Sequence, residues 1–181
     1  MIISDFGLSR NLSSQLGEDL TEYVVTRYYR APEIMLSKQE YTHAVDIWSV
    51  GCTFAEMLNR RILFPGENYI QQVLVIISLR GNPDGETLKY ITNQQALDFV
   101  KQLPHREKVA LDTVFKDAPP DALDLLDKML DMNPNRRISA AEALKHPVFD
   151  GLHDEEDEPV YTGPKIDFFF EQDHSLTLVK I

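Results

Sequence analysis

The chain has 181 residues, enough for one domain with its own core, and its 43% hydrophobic and 26% charged residues are those of an ordinary globular protein. Acids outnumber Lys and Arg by 29 to 18, for a net charge of -11, which argues against nucleic acid or an anionic membrane as the main partner and favours basic peptides. The one cysteine, Cys52, excludes an internal disulfide framework and suits a reducing compartment.

In chain order, residues 1–4 predict the stub of a strand, since Ile2 and Ile3 are β-branched and Gly7 follows. They have neither a basic n-region nor a long apolar stretch, so no signal peptide is expected, and cytoplasm and nucleus are the expected locations. Residues 8–33 show no sustained periodicity, and an irregular stretch of that length inside a domain is more often functional than not. A helix is predicted over 42–58, apolar around nearly its whole circumference, as befits the middle of a domain. Phe64-Pro65-Gly66 reads as a turn, and Asn68 can cap a helix to Leu79, stopped by Arg80, Gly81 and Pro83. The apolar run at 73–79 is far too short to span a bilayer. Further helices are predicted over 93–103 and 120–132, the latter with Leu123, Leu126, Met129 and Leu130 on one stripe. Ser139 and Glu142 form a capping-box pair opening a last short helix, closed by Lys145-His146-Pro147. Residues 150–158 are an acidic run, and 159–181 an extended tail with an aromatic cluster at Phe168-Phe169-Phe170.

Four sequence features carry chemistry. Asp5-Phe6-Gly7 follows the strand stub, and a carboxylate there, beside a permissive Gly, can reach a phosphate-bound Mg²⁺. The irregular stretch closes on Ala31-Pro32-Glu33; Asp46-Ile47-Trp48-Ser49-Val50-Gly51 opens the apolar helix; Arg137 precedes the last capped helix. Each is modest alone, but in this order they resemble the second half of the protein-kinase signature set.

Thr21-Glu22-Tyr23-Val24-Val25-Thr26-Arg27-Tyr28-Tyr29-Arg30-Ala31-Pro32-Glu33 further resembles the activation segment of a mitogen-activated protein (MAP) kinase of the extracellular-signal-regulated type. The similarity continues through Leu63-Phe64-Pro65-Gly66, an insert at about 83–115, Leu123-Asp124-Leu125-Leu126-Asp127-Lys128-Met129-Leu130 and Ala143-Leu144-Lys145-His146-Pro147, and fades after about Gly163. Another kinase of the proline-directed group fits less well, because of the Thr-Glu-Tyr triplet and the insert.

The resemblance implies a protein kinase-like fold, α+β as a whole, of which this chain supplies mainly helical large-lobe structure. Residues 1–149 would be the C-terminal part of the kinase domain, with the activation segment at 5–33, and 150–181 the acidic docking run and tail. It implies a Ser/Thr kinase using ATP and Mg²⁺, proline-directed, switched on by phosphorylation of Thr21 and Tyr23, with Asp5 as metal ligand. Phosphates added among Glu18, Asp19 and Glu22 need arginines to receive them, and Arg10, Arg27 and Arg30 are the candidates within the segment. The family pattern further implies that Thr26 contacts the catalytic Asp, that 25–30 forms the floor for a substrate proline, and that Asp46 holds the catalytic loop. Glu33 and Arg137 would form a buried ion pair of structural role.

Asp154-Glu155-Glu156-Asp157-Glu158-Pro159 resembles the common docking patch of MAP kinases, with Asp154 and Asp157 pairing with Lys and Arg of docking motifs. The implied partners are an upstream dual-specificity MAP kinase kinase, phosphatases and substrates with basic docking motifs, and no nucleic acid or membrane. Met35, Leu36, Tyr69, Ile70, Val73 and Phe99 match an apolar pocket that reads aromatic docking motifs, although core packing explains several equally well.

The sequence before Asp5 supplies no Gly-rich loop, ATP-binding Lys, or His-Arg-Asp catalytic loop, on which phosphoryl transfer depends. The 181 residues alone are therefore expected to be a truncated chain that binds ATP poorly, transfers no phosphate and exposes apolar surface on the 42–58 helix. The alternative is a noncatalytic docking or decoy module for MAP kinase partners.

Overall fold

The computed structural model describes residues 26–37, 42–154, 156, 158 and 161–163. Backbone contacts divide the chain into two units, Thr21–Asp154 and Met1–Leu20 with Glu155–Ile181; of the second, Glu156 and Tyr161 are exposed and Glu158 half-buried. The strand stub expected at 1–4 lies outside the described residues, among which there are helices and no strand.

In the Thr21–Asp154 unit a 3₁₀ turn over Arg27–Tyr29 leads to α1 (Pro32–Leu36), α2 (Ala44–Asn59), α3 (Tyr69–Arg80), α4 (Gly85–Leu88), α5 (Gln94–Gln102), α6 (Leu111–Val114), α7 (Pro120–Met129) and α8 (Ala140–Leu144), then a second 3₁₀ turn over Pro147–Phe149. Each longer helix begins where its sequence allows. Thr42 Oγ1 accepts from Ala44 N at the start of α2, Asn68 from Gln71 N at 2.9 Å before α3, and Asn93 from the first N–H groups of α5. The Ser139–Glu142 capping box forms in both directions at α8. Gly81 ends α3 at φ 78, where a side chain would press on the backbone of Lys108.

Two expectations change. α7 ends at Met129 rather than continuing to 132, because Asp131 Oδ1 takes the N–H of Asn133 and Asn133 Oδ1 that of Asn135, offering the backbone turns in place of helix. α1, α4 and α6 were not foreseen: five or four residues do not complete enough turns to show a period.

The main core gathers Trp48, Cys52 and Ala55 of α2, Val73, Ile76 and Ile77 of α3, and Leu126 and Leu130 at the end of α7, with Phe64 from the α2–α3 loop. α2 and α7 approach closely at Gly51, where an added Cβ would lie 2.9 Å from Met129 Cβ. α2 is not buried all round. Its Trp48–Gly51–Cys52–Ala55 side is inside, while Asp46, Val50, Thr53 and Met57 form an exposed stripe with Val50 at 45% and Met57 at 56%.

Candidate functional site

The end of the irregular stretch is fastened to α2 and to the loop between α2 and α3. Ser49, one turn into α2, donates to the main-chain carbonyl of Tyr29 at 2.9 Å and to Val45 O at 3.1 Å. Tyr29 donates from its hydroxyl to Glu56 Oε2 at 2.7 Å, and Arg27 Nη1 donates to Glu67 O at 3.0 Å. The hydrogen bond to Glu56, with a smaller share from burial, raises the phenol pKa of Tyr29. The turn closes on itself through Arg30 N to Arg27 O at 3.1 Å. Residues 27–30 therefore form a platform pinned to α2 and the α2–α3 loop, with Thr26 exposed at its leading edge.

One turn further on, the structure brings Glu33 and Arg137 together across 104 residues. Arg137 reaches the carboxylate with both terminal nitrogens, at 2.6 and 2.9 Å, and also donates to Ala44 O at 2.7 Å and, through Nε, to Asp131 O at 3.0 Å. Its side chain is fully buried and Glu33 is 8% exposed, with the guanidinium 5.1 Å above the Trp48 ring, which stacks in turn on Phe64. A buried ion pair holds only when its spare donors are used, and here the two backbone carbonyls take them. Burial pushes the Cys52 thiol up to about 12 despite the nearby Arg137 charge, so it is an inert core residue.

Arg27 is half-buried, its Nη1 on the Glu67 carbonyl and its buried Nε without an acceptor among the described residues, and Arg30, three residues on, is half-buried too. Asp46 stands exposed in the first turn of α2. Asp154 is exposed. Asp5, Arg10, Thr21, Tyr23 and Asp157 lie outside the described residues. Of the apolar set matched to a docking pocket, Met35, Leu36 and Val73 are buried core, Tyr69 and Phe99 pack partly against it, and Ile70 is 59% exposed. The sequence reading missed Tyr29, Ser49, Glu56 and the Glu67 carbonyl, whose pairings cross 20 to 40 residues and leave no local pattern.

Residues 1–149 match the family model described as the protein kinase domain. The chain belongs to the protein kinase family. This kinase chain is 48% identical over 159 residues to mitogen-activated protein kinase spk1 of Schizosaccharomyces pombe, covering 87% of the chain and 43% of that protein. It is 48% identical over 170 residues to mitogen-activated protein kinase 13 of Arabidopsis thaliana, covering 94% and 46%. With mitogen-activated protein kinase HOG1 of Wallemia sebi it shares 51% identity over 158 residues, covering 87% and 55%. The chain thus spans about half the length of the curated relatives it matches.

Protein kinases use ATP and Mg²⁺, and the described residues do not by themselves fit that group. No cluster of three or more His, Cys, Asp or Glu among them could hold a metal ion, and Asp5 lies outside them. No helix among them is long and apolar enough to cross a membrane.

Proposed function

We propose that the protein to which these residues belong is a proline-directed Ser/Thr kinase of the MAP kinase type, using ATP and Mg²⁺ and activated by phosphorylation of Thr21 and Tyr23. The observation that carries the reading is the pinned platform at 27–30, separated by three residues from the Thr-Glu-Tyr triplet at 21–23. Ser49 and Glu56 of α2 and the Glu67 carbonyl of the following loop hold it in place. A floor for a substrate proline must be rigid before substrate arrives, because positioning is most of what catalyses phosphoryl transfer. The buried Nε of Arg27, without an acceptor among the described residues, offers a donor to a phosphate, and Arg30 follows three residues on. Phosphorylation would then order the segment by exchanging acidic repulsion for arginine contacts.

In this reading Asp5 binds Mg²⁺, Arg10 joins Arg27 and Arg30 in holding phosphate, Thr26 and Asp46 support the catalytic loop, and Asp154 and Asp157 receive basic docking motifs. Upstream dual-specificity kinases, phosphatases and substrates dock there, in the cytoplasm and nucleus. The 181 residues alone transfer no phosphate.

The test treats the 181-residue chain with an active dual-specificity MAP kinase kinase and maps phosphopeptides by mass spectrometry. Phosphate on both Thr21 and Tyr23 is expected, and its absence from both would sink the reading. Transfer of phosphate to a Ser-Pro peptide by this chain, lost in Asp5→Asn, would overturn the inactivity of the chain alone.

A further inference from the structure

The chain is strongly acidic, yet residues 101–108 carry Lys101, His105, Arg106 and Lys108 against one acid, Glu107. Beside this segment lies a cleft of about 300 Å³ lined by the apolar side chains of Pro83, Leu88, Val100 and Leu103, with Asn82, Lys101 and His105 completing its wall. Its frame is tied together. Asn82 N donates to Arg106 O at 3.1 Å, Arg106 N donates to Asn82 Oδ1 at 2.7 Å, and Val109 N donates to Leu79 O at 2.9 Å. Val100 is buried while Leu88 and Leu103 are half-buried, so the floor is apolar but reachable.

The charges around the cleft are unequally satisfied. Lys108 pairs with Asp127 at 2.6 Å, a carboxylate it shares with Arg80, and His105 meets Glu107 at 2.6 Å. Lys101 and Arg106 are exposed and form no ion pair among the described residues. Two exposed cations without an ion pair among the described residues, beside an apolar floor, select a partner carrying carboxylates and an aliphatic group. The volume is at the small end of ligand sites, roughly 300–1,000 Å³. The positive charge also runs past the cleft to Arg106, which is not among its lining residues, so the occupant reaches beyond it.

We propose that this cleft docks an acidic peptide segment, with an aliphatic side chain seated on Leu88, Val100 and Leu103 and flanking carboxylates against Lys101 and Arg106. The partner class is opposite to the basic motifs assigned to the acidic run, and the proposal does not depend on phosphoryl transfer.

The probe is a fluorescein-labelled peptide with one Leu between pairs of Glu, titrated with the full 181-residue chain by fluorescence anisotropy. Saturable binding is expected, weakened by added salt. The double variant Lys101→Glu with Arg106→Glu should lower affinity by roughly fivefold or more, from the loss of two exposed pairs and the added repulsion. Far-UV circular dichroism should be unchanged, since both residues are exposed, and the neutral pair Lys101→Gln with Arg106→Gln gives a smaller loss in the same direction. A probe with Ser for Leu should bind more weakly than its parent. Absence of saturable binding, equal binding by wild type and both variants, or indifference to the Leu-to-Ser change would each overturn the proposal. So would saturable binding of octanoate by a chain that binds no peptide, which would make the cleft a small-molecule site.

Discussion

Tyr29 Oη donates to Glu56 Oε2 at 2.7 Å, tying the turn after Thr26 to the last helical turns of α2. Ser49 holds the carbonyl of the same tyrosine from about two turns back toward the α2 N-terminus, so Tyr29 is gripped at main chain and side chain. Both anchors lie on one helix, and the loop therefore inherits the rigidity of α2.

Tyr29→Phe removes the hydroxyl and leaves a half-buried Glu56 carboxylate short of a donor. The expected cost is about 1 kcal/mol, the usual worth of one such bond. The phenol pKa is raised in the fold, chiefly by the bond to Glu56. Its contribution is therefore complete below the ordinary tyrosine value and is lost as pH rises through the folded one. Urea midpoints measured upward from neutral pH should fall less steeply above about pH 10 in Tyr29→Phe than in wild type. Identical alkaline slopes would contradict the Tyr29–Glu56 assignment.

Removing one side of the Glu33–Arg137 pair leaves the other buried and uncompensated. Arg137→Met and Glu33→Gln should each destabilise by roughly 3–5 kcal/mol. Trp48 is the sole tryptophan, and the guanidinium lies over its ring, so fluorescence reads the site directly. Arg137→Met should shift native emission as well as the urea midpoint, whereas Glu33→Gln should move mainly the midpoint. A double variant costing much less than the sum of the two confirms coupling. Strict additivity would mean that the backbone carbonyls of Ala44 and Asp131, rather than Glu33, hold the arginine.

Much of this architecture was legible in the sequence where the signal was local. Asn68, Asn93 and the Ser139–Glu142 box mark helix starts because a cap bonds within three residues. The early end of α7 was not legible, since Asp131 and Asn133 are as compatible with helix as with a turn until their side chains choose backbone partners. The apolar circumference of α2 marked it as central, but only coordinates divide it into the Trp48 side and the Val50–Met57 side. At the candidate site, Glu33 and Arg137 could be singled out through family resemblance alone. The Tyr29–Glu56 and Arg27–Glu67 contacts could not, because they depend on how α2 and α3 converge.

Gly51 is expected to tolerate no methyl group. Alanine is worth about 1 kcal/mol over glycine inside a helix. Here, however, the new Cβ would sit 2.9 Å from Met129 Cβ and 3.1 Å from a Leu130 methyl, and a Cβ cannot rotate away. α2 and α7 would have to separate, at an overpacking cost of about 1–3 kcal/mol. Gly51→Ala should therefore lower the thermal midpoint, and a rise would show that the two helices have slack.

The acid limb of stability should report Asp84. Hydrogen bonds from Thr87, through its side chain and its backbone N–H, and from Arg136 hold this carboxyl at about 2. Because the folded value lies below the unfolded one, the group stabilises the fold above about pH 4, and that contribution disappears as pH falls toward about 2. The carboxylate is 52% exposed, so solvent screens the gain and the effect is small. Asp124, within α7, is lowered too, by Lys128 first and His146 second, and contributes to the same limb. Asp84→Asn should leave the urea midpoint at pH 7 slightly reduced through loss of the Arg136 charge pair. It should flatten, without abolishing, the drop between about pH 4 and about pH 2. An unchanged acid slope in Asp84→Asn would mean that the cap and the Arg136 bridge are open in solution.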